Sequence, residues 1–227
     1  MHIENIYNDI GFHRNLPFFI SLIKESQKMI LPDKKKKVLD FGCGDGYFLH
    51  LFDYIDNLNY GLGIELNKEL IQQADLKNTN NKIEYKLYKG EYKKQFDVIF
   101  SQEVIYTIKD LQSHALEMFS ILEEGGYYFA TMGSHIGNPL WAKRRKIIRQ
   151  EEKYYAYDYS LDEVAEIFYD VGFRVGLKRL PLEYFMIYDK KTTNNFSNSL
   201  EELVKTTEEN KMLFCFLKPK KGNKNRK

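Results

Sequence analysis

Three glycines within five residues, directly behind a short apolar run, constrain this chain more than any other feature. The stretch Val38-Leu39-Asp40-Phe41-Gly42-Cys43-Gly44-Asp45-Gly46-Tyr47 spaces them as D-x-G-x-G-x-G. Glycine in an ordered element costs roughly 0.5 to 1 kcal/mol relative to alanine, so the run needs a reason. A tight turn is one. A ligand lying against bare backbone is the other, because Cβ atoms would hold it away.

On either side of that turn, short β-rich runs alternate with helical ones, which is the pattern of parallel βαβ units. Residues 37–42, 60–66, 82–88, 96–101 and 127–132 read as five successive strands, with helices predicted over 46–52, 67–76 and 109–122. Glu123-Glu124-Gly125-Gly126 reads as the stop of the last of these helices. Residues 133–159 then interrupt the alternation with a basic helical segment and four tyrosines, an insertion over one end of the sheet. Ser160 with Glu163 is a capping-box signature for a helix that ends near Gly172. A sixth strand is predicted over 174–180, a second capping box at Ser199 and Glu202, and a last strand over 212–218.

The 227-residue length fits one domain. Apolar residues at 43% and charged residues at 29% describe a soluble globular chain, and the longest apolar runs fall far short of a bilayer. The opening "MHIENIYNDIGFHRNL" lacks the basic end and apolar block of a secretory signal, so a cytoplasmic location is expected. Cys43 and Cys215 lie in unlike contexts and read as reduced thiols. Neither they nor the five histidines show a metal-ligand spacing, and no metal is expected. A net charge of +2 is too small to argue for nucleic acid. The closing "KPKKGNKNRK" reads as a frayed basic tail over 218–227.

Glycines between the first strand and the first helix lie where open α/β sheets bind ligands. A dinucleotide fingerprint wants G-x-G-x-x-G, but counting from Gly42 its third glycine would fall on Tyr47. The observed spacing, taken together with the downstream segments of the chain, resembles the class I S-adenosylmethionine-dependent methyltransferases. "GLGIEL" puts Glu65 at the end of the second strand, "FDVIFSQEVIYTIKD" resembles the family's fourth-strand segment, and "LEEGGYYFATM" resembles its next helix-turn-strand. The match runs from about Val38 to Met132, and "LDEVAEIFYDVGF" resembles the helix after that. The resemblance implies a doubly wound Rossmann-like α/β fold, with a seven-stranded, mostly parallel sheet whose last strand is antiparallel, and helices on both faces. It implies a single domain over 1–217, in which 1–33 is a helical region over the cofactor and 133–159 caps the substrate. The implied cofactor is S-adenosylmethionine, held by Asp40, Gly42, Cys43, Gly44, Tyr47, Glu65, Leu66, Ser101 and Gln102, with Tyr7 and Arg14 from the N-terminal region.

Several of these residues carry two readings. Asp40 either braces the turn or faces the cofactor's ammonium group, and Glu65 either caps the next helix or grips both ribose hydroxyls. The family often has an acidic residue after the third strand to hold adenine; Tyr88-Lys89-Gly90 stands there instead. For the base that takes the acceptor's proton the candidates are His135, Tyr106 and Glu103, and His135 has the imidazole pKa best matched to neutral pH. Lys143, Arg144 and Trp141 in the insertion are the candidate substrate residues. The basic cluster they belong to suits a phosphate or a nucleotide-linked sugar, as in surface-polysaccharide pathways.

The expected activity is methyl transfer to an oxygen or nitrogen of a small molecule, with oligomeric state left open. An RNA or protein methyltransferase is the alternative enzyme. The Asn/Asp-Pro-Pro-aromatic motif of nucleic-acid amino methylases is absent where Ser101-Gln102-Glu103-Val104 stands, which counts against bases. A non-catalytic S-adenosylmethionine-binding scaffold is the alternative of another class.

Overall fold

The computed structural model describes residues 15–30, 34–90, 94–152, 154–181, 199–208 and 211–222. Tyr7 and Arg14 lie outside the described residues. Strands β1 (Lys36–Phe41), β2 (Leu58–Glu65), β3 (Ile83–Leu87), β4 (Phe96–Gln102), β5 (Leu122–Gly133), β6 (Arg174–Arg179) and β7 (Lys211–Leu217) form one sheet in the order β3-β2-β1-β4-β5-β7-β6. β1 with β2, β2 with β3 and β4 with β5 pair in parallel, whereas β7 runs antiparallel to both β5 and β6. Helices α1 (Leu16–Gln27), α2 (Tyr47–Ile55), α3 (Lys68–Lys77), α4 (Leu111–Ile121), α5 (Trp141–Ile147), α6 (Leu161–Val171) and α7 (Leu200–Glu208) flank it. This is the Rossmann-like, doubly wound architecture expected of the sequence. The described residues up to Gly90 form one compact unit and the remainder a second.

In the first unit, β1 and β2 are buried almost without interruption, as strands covered on both faces must be. β1 delivers Asp40 and Phe41 into the glycine turn. Gly42, Gly44 and Gly46 all take left-handed φ values of 81°, 56° and 84°, a region costly for other residues. Two of these glycines differ in what surrounds them. A Cβ on Gly44 would meet nothing within 4 Å, whereas one on Gly46 would lie 2.6 Å from Cζ of Tyr85. The buried Tyr85 hydroxyl donates to the Gly46 carbonyl at 2.6 Å. The third glycine therefore admits a tyrosine from β3, and the middle one faces open space.

In the second unit, the predicted capping box at Ser160 and Glu163 is present in both directions, and α6 ends at Gly172 with φ 113°. Ser199 Oγ likewise accepts from Glu202 N at 3.0 Å to open α7. The stop of α4 differs from expectation, because β5 starts at Leu122, directly after the helix, and Glu123 to Gly126 lie within the strand. Lys218 explains the difference. Its ammonium donates to the Phe119 and Leu122 carbonyls at 2.7 and 2.6 Å, satisfying helix-end acceptors without a glycine cap. Its backbone N–H then donates to the Gly126 carbonyl while the Gly125 N–H donates to its own carbonyl, so Lys218, where a frayed tail was expected to begin, extends the pairing of β7.

The two glycine environments predict different penalties. Gly44→Ala should cost about 1 to 2 kcal/mol, the strain of a left-handed non-glycine residue. Gly46→Ala should cost at least about 1 kcal/mol more, because overpacking against Tyr85 adds to that strain. Urea denaturation of the two variants gives the comparison, and equal losses would remove Tyr85 as the reason for Gly46.

Candidate functional site

The carboxylate of Glu65, at the end of β2, organises the candidate residues of the first unit. Its Oε2 accepts from Gly44 N at 3.2 Å, and its Oε1 accepts from Leu66 N at 2.7 Å and Asn67 N at 3.1 Å. The N-cap of α3 is Asn67, whose side chain accepts from Glu69 N and Leu70 N. Glu65 thus braces the two loops rather than capping the helix. Leu66 comes next with 65% of its surface exposed, an apolar side chain left in solvent beside the glycine turn's own partner.

Asp40 is buried, and its Oδ2 has no hydrogen-bond partner. Burial, and secondarily the charge of Glu65, raises its pKa to about 8, so the carboxyl is neutral at pH 7. Cys43 is buried too, and its thiol is pushed far up, first by burial and then by Asp40 and Glu65, so it is no thiolate nucleophile. Tyr47, the first residue of α2, stacks on Phe19 with ring centroids 6.2 Å apart.

The second unit brings its three candidate bases near one another. Ser101, buried, and Gln102, half-buried, end β4. Glu103 is next with φ 58°, and it alone among the described non-glycine residues has a positive φ. Its N–H is held by the Thr131 carbonyl at 3.1 Å, and its carboxylate pairs with the Lys211 ammonium at 2.9 Å. Tyr106, in a short 3-10 turn at Ile105–Thr107, packs edge-on against His135 at 4.6 Å and against Trp141 at 5.7 Å. His135 and Trp141 stack face to face, 3.6 Å apart and 3° from parallel. His135 is buried, and its Nδ1 has no partner. Burial lowers its pKa to about 4; Glu103 and Asp158 oppose that shift, while Lys211 and Arg144 add to it.

The substrate candidates separate. Trp141 is buried against His135 and donates its indole N–H to Asp158 at 2.6 Å, while Arg145 pairs with the same carboxylate. Arg144 is half-buried, and Lys143 is exposed. Lys211 is the residue that reading the sequence missed. Because β7 is antiparallel, its first residue sits opposite Gly133, at the carboxyl end of β5. The signal was a lysine immediately before the last apolar run.

No helix among the described residues is long and apolar enough to cross a membrane. A family model described as a methyltransferase domain matches residues 14–176. A ubiquinone biosynthesis O-methyltransferase of Pelagibacter ubique (strain HTCC1062) is 32% identical over 127 residues, which is 53% of this chain and 50% of that protein. The chain thus matches about half the length of that relative. Among solved structures, a chain of the complex between the Haloferax volcanii Trm112 methyltransferase activator and a methyltransferase aligns with a TM-score of 0.72 at 17% identity, covering 90% of this chain and 92% of that one. An S-adenosylmethionine-dependent methyltransferase from Mesorhizobium loti aligns with a TM-score of 0.66 at 14% identity, covering 92% and 99%.

The buried Asp40 makes stability depend on pH in a testable direction. Its folded-state pKa lies above the ordinary 3.8, so the folded chain binds the extra proton and stability falls as pH rises from about 4 to about 8. His114 and His135 act oppositely, since burial holds them at about 3 and about 4 and stability is lost as pH falls below 6.5. His50, lowered by burial, adds to the histidine effect. All three fade above about pH 7, so from there to pH 8 the Asp40 effect dominates, worth roughly 1 kcal/mol. Urea denaturation without added ligand should show that decline, and Asp40→Asn should flatten it. A wild-type curve with the same pH dependence as Asp40→Asn would show that Asp40 is ionised in the fold.

Proposed function

Since the chain belongs to the class I S-adenosylmethionine-dependent methyltransferases, we propose that it transfers the methyl group to an oxygen or nitrogen of a small anionic metabolite. The observation that carries the cofactor assignment is the glycine turn itself, with open space off Gly44 beside the Glu65 carboxylate, and an unpartnered Asp40 oxygen on the same strand end. Asp40, Gly42, Cys43, Gly44, Tyr47, Glu65 and Leu66 would hold the cofactor from the first unit. The unpartnered Oδ2 of Asp40 would accept from an ammonium group, whose charge would draw the carboxyl back toward its ionised form, and the Glu65 carboxylate would accept from ribose hydroxyls. Ser101 and Gln102 are carried in the proposal by their place at the end of β4. The relative from Pelagibacter ubique, an O-methyltransferase by name, favours oxygen.

Bound S-adenosylmethionine supplies a methyl group on a sulfonium, so the protein itself needs no covalent intermediate. What remains for the chain is to orient the acceptor, where positioning contributes on the order of 7 to 11 kcal/mol, and to receive its proton. His135 is the proposed base on geometry: burial takes its pKa below the neutral match expected of the sequence, which leaves the imidazole unprotonated but a weaker base, while its Nδ1 has no partner and the Trp141 and Tyr106 rings fix its plane. Tyr106 and Glu103 flank it as the other proton-handling groups. The segment 133–159 is the proposed substrate cap, with Lys143, Arg144 and Trp141 its recognition residues.

Calorimetry tests the cofactor assignment directly. S-adenosylhomocysteine should bind in the micromolar range, about −8 kcal/mol, with no comparable affinity for NAD. Gly44→Val, folded by circular dichroism, should abolish that binding by filling the open space, and Glu65→Ala should weaken it by about 1 to 3 kcal/mol. Unchanged binding in both would sink the assignment.

Incubation with methyl-labelled S-adenosylmethionine and fractionated metabolite extract, read by mass spectrometry, identifies the acceptor. With that acceptor, His135→Asn should lower kcat by about 10²- to 10⁴-fold while cofactor binding persists. Near-normal kcat in that variant would take His135 out of the mechanism.

A further inference from the structure

The insertion presents a cationic stripe that runs into a tyrosine ladder. In α5 and the π-helical turn that continues it, Ile148–Glu152, the residues Trp141, Arg144, Arg145 and Ile148 are buried or half-buried. Their spacing of three and four residues is the inward face of a helix. Lys143, Lys146 and Arg149 fall three residues apart on the opposite, exposed face. At the end of that stripe the Arg149 guanidinium lies 4.1 Å from the centre of the Tyr155 ring and donates to the Ala156 carbonyl. From Tyr155 the rings continue at alternate positions. Tyr155 and Tyr157 are 4.5 Å apart, and Tyr157 and Tyr159 are 5.9 Å apart.

The far end of the ladder is anchored beside the proposed base. Tyr159 donates its hydroxyl to the Ile108 and Lys109 carbonyls, and the Tyr157 N–H donates to the Tyr106 carbonyl at 2.7 Å. The ladder thus ties the exposed stripe to the ring cluster of Tyr106, His135 and Trp141. Tyr155 is 55% exposed, while Tyr157 and Tyr159 are half-buried. That gradient matters, because a surface for single-stranded nucleic acid presents several open faces to successive bases. A single exposed ring, with Arg149 over one of its faces, fits one base beside the cations.

We propose that Lys143, Lys146 and Arg149, together with Tyr155, Tyr157 and Tyr159, receive a nucleoside diphosphate moiety of the methyl acceptor. This rests on the methyltransferase reading and narrows its acceptor to a nucleotide-linked one. Lysine and arginine meet the diphosphate charge, and the tyrosine faces meet the base. The group to be methylated is then the substituent carried by the diphosphate, and the ladder's anchor at Tyr106 directs it toward His135.

Calorimetric titration with uridine, cytidine, guanosine and adenosine diphosphates tests the proposal without knowing the substituent. Saturating S-adenosylhomocysteine is present throughout, so that adenosine diphosphate cannot occupy the cofactor site. At least one diphosphate should bind with Kd below about 1 mM, with the parent nucleoside and inorganic pyrophosphate each about tenfold weaker or worse. Raising salt should weaken the binding. Lys143→Ala with Lys146→Ala should lower affinity for both diphosphate and pyrophosphate, whereas Tyr155→Ala should lower it for the diphosphate and leave pyrophosphate unchanged. No saturable binding of any of the four at about 5 mM, or affinities indifferent to both variants, overturns the proposal. The S-adenosylhomocysteine titration of the same samples separates the two readings. If it binds and the diphosphates do not, only the acceptor assignment falls; if it does not bind, the methyltransferase reading falls on its own.

Discussion

The glycine turn depends on one carboxylate. Three backbone N–H groups, from Gly44, Leu66 and Asn67, converge on Glu65, and each would otherwise be a costly orphan at a loop between packed elements. By holding the turn after β1 and the start of the chain toward α3 at once, Glu65 fixes the backbone on which the rest of the first unit's candidate site is built. It also adds its charge to an electrostatic setting dominated by burial. A second carboxyl, Asp40, is buried within range of its charge, and two neighbouring acids resist ionising together. The turn is thus a rigid backbone frame that holds its own acid in the neutral form.

The second unit depends on strand direction. A parallel β7 would place its last residue at the carboxyl edge of β5; the antiparallel strand places its first one there, and that residue is Lys211. Its ammonium meets Glu103, which sits in a backbone conformation few non-glycine residues adopt. Such strain persists where the surroundings over-determine it. Here the Thr131 carbonyl holds the N–H and Lys211 holds the carboxylate, so both ends of the residue are fixed.

Much of this was legible in the sequence because it is local. The alternation of apolar runs gave the strands, and the pairs Ser160 with Glu163 and Ser199 with Glu202 marked helix starts by hydrogen bonds that span only three residues. The glycine turn was legible as a constraint, but not the division of labour within it, since nothing near Gly46 in the chain announces Tyr85, 39 residues away. The end of α4 was misplaced for the same reason. Lys218 supplies the acceptors' partner from nearly a hundred residues downstream, so Gly125 and Gly126 had no cap to form and entered the strand. Lys211 went unnoticed because its place depends on the direction of β7 and not on any motif around it.

Burial sorts the ionisable groups in a way that composition does not. Lys36 and Asp56 are both deeply buried and paired at 2.7 Å, so their charges satisfy one another and leave nothing over. His114 is buried and held neutral, but its Nε2 lies 3.0 Å from the Tyr128 hydroxyl, and its hydrogen-bonding is spoken for inside the core. Asp40 and His135 are also buried and neutral, yet each keeps a polar atom without a partner. A buried orphan polar atom costs about 1 to 3 kcal/mol, and a fold retains that cost where something else offsets it. In sequence His114 falls within a predicted helix and His135 just past the fifth strand, and of the two only His135 was a candidate base. In the fold one is a structural hydrogen bond, and the other carries an unmet demand on the carboxyl edge of β5, beside the strained Glu103.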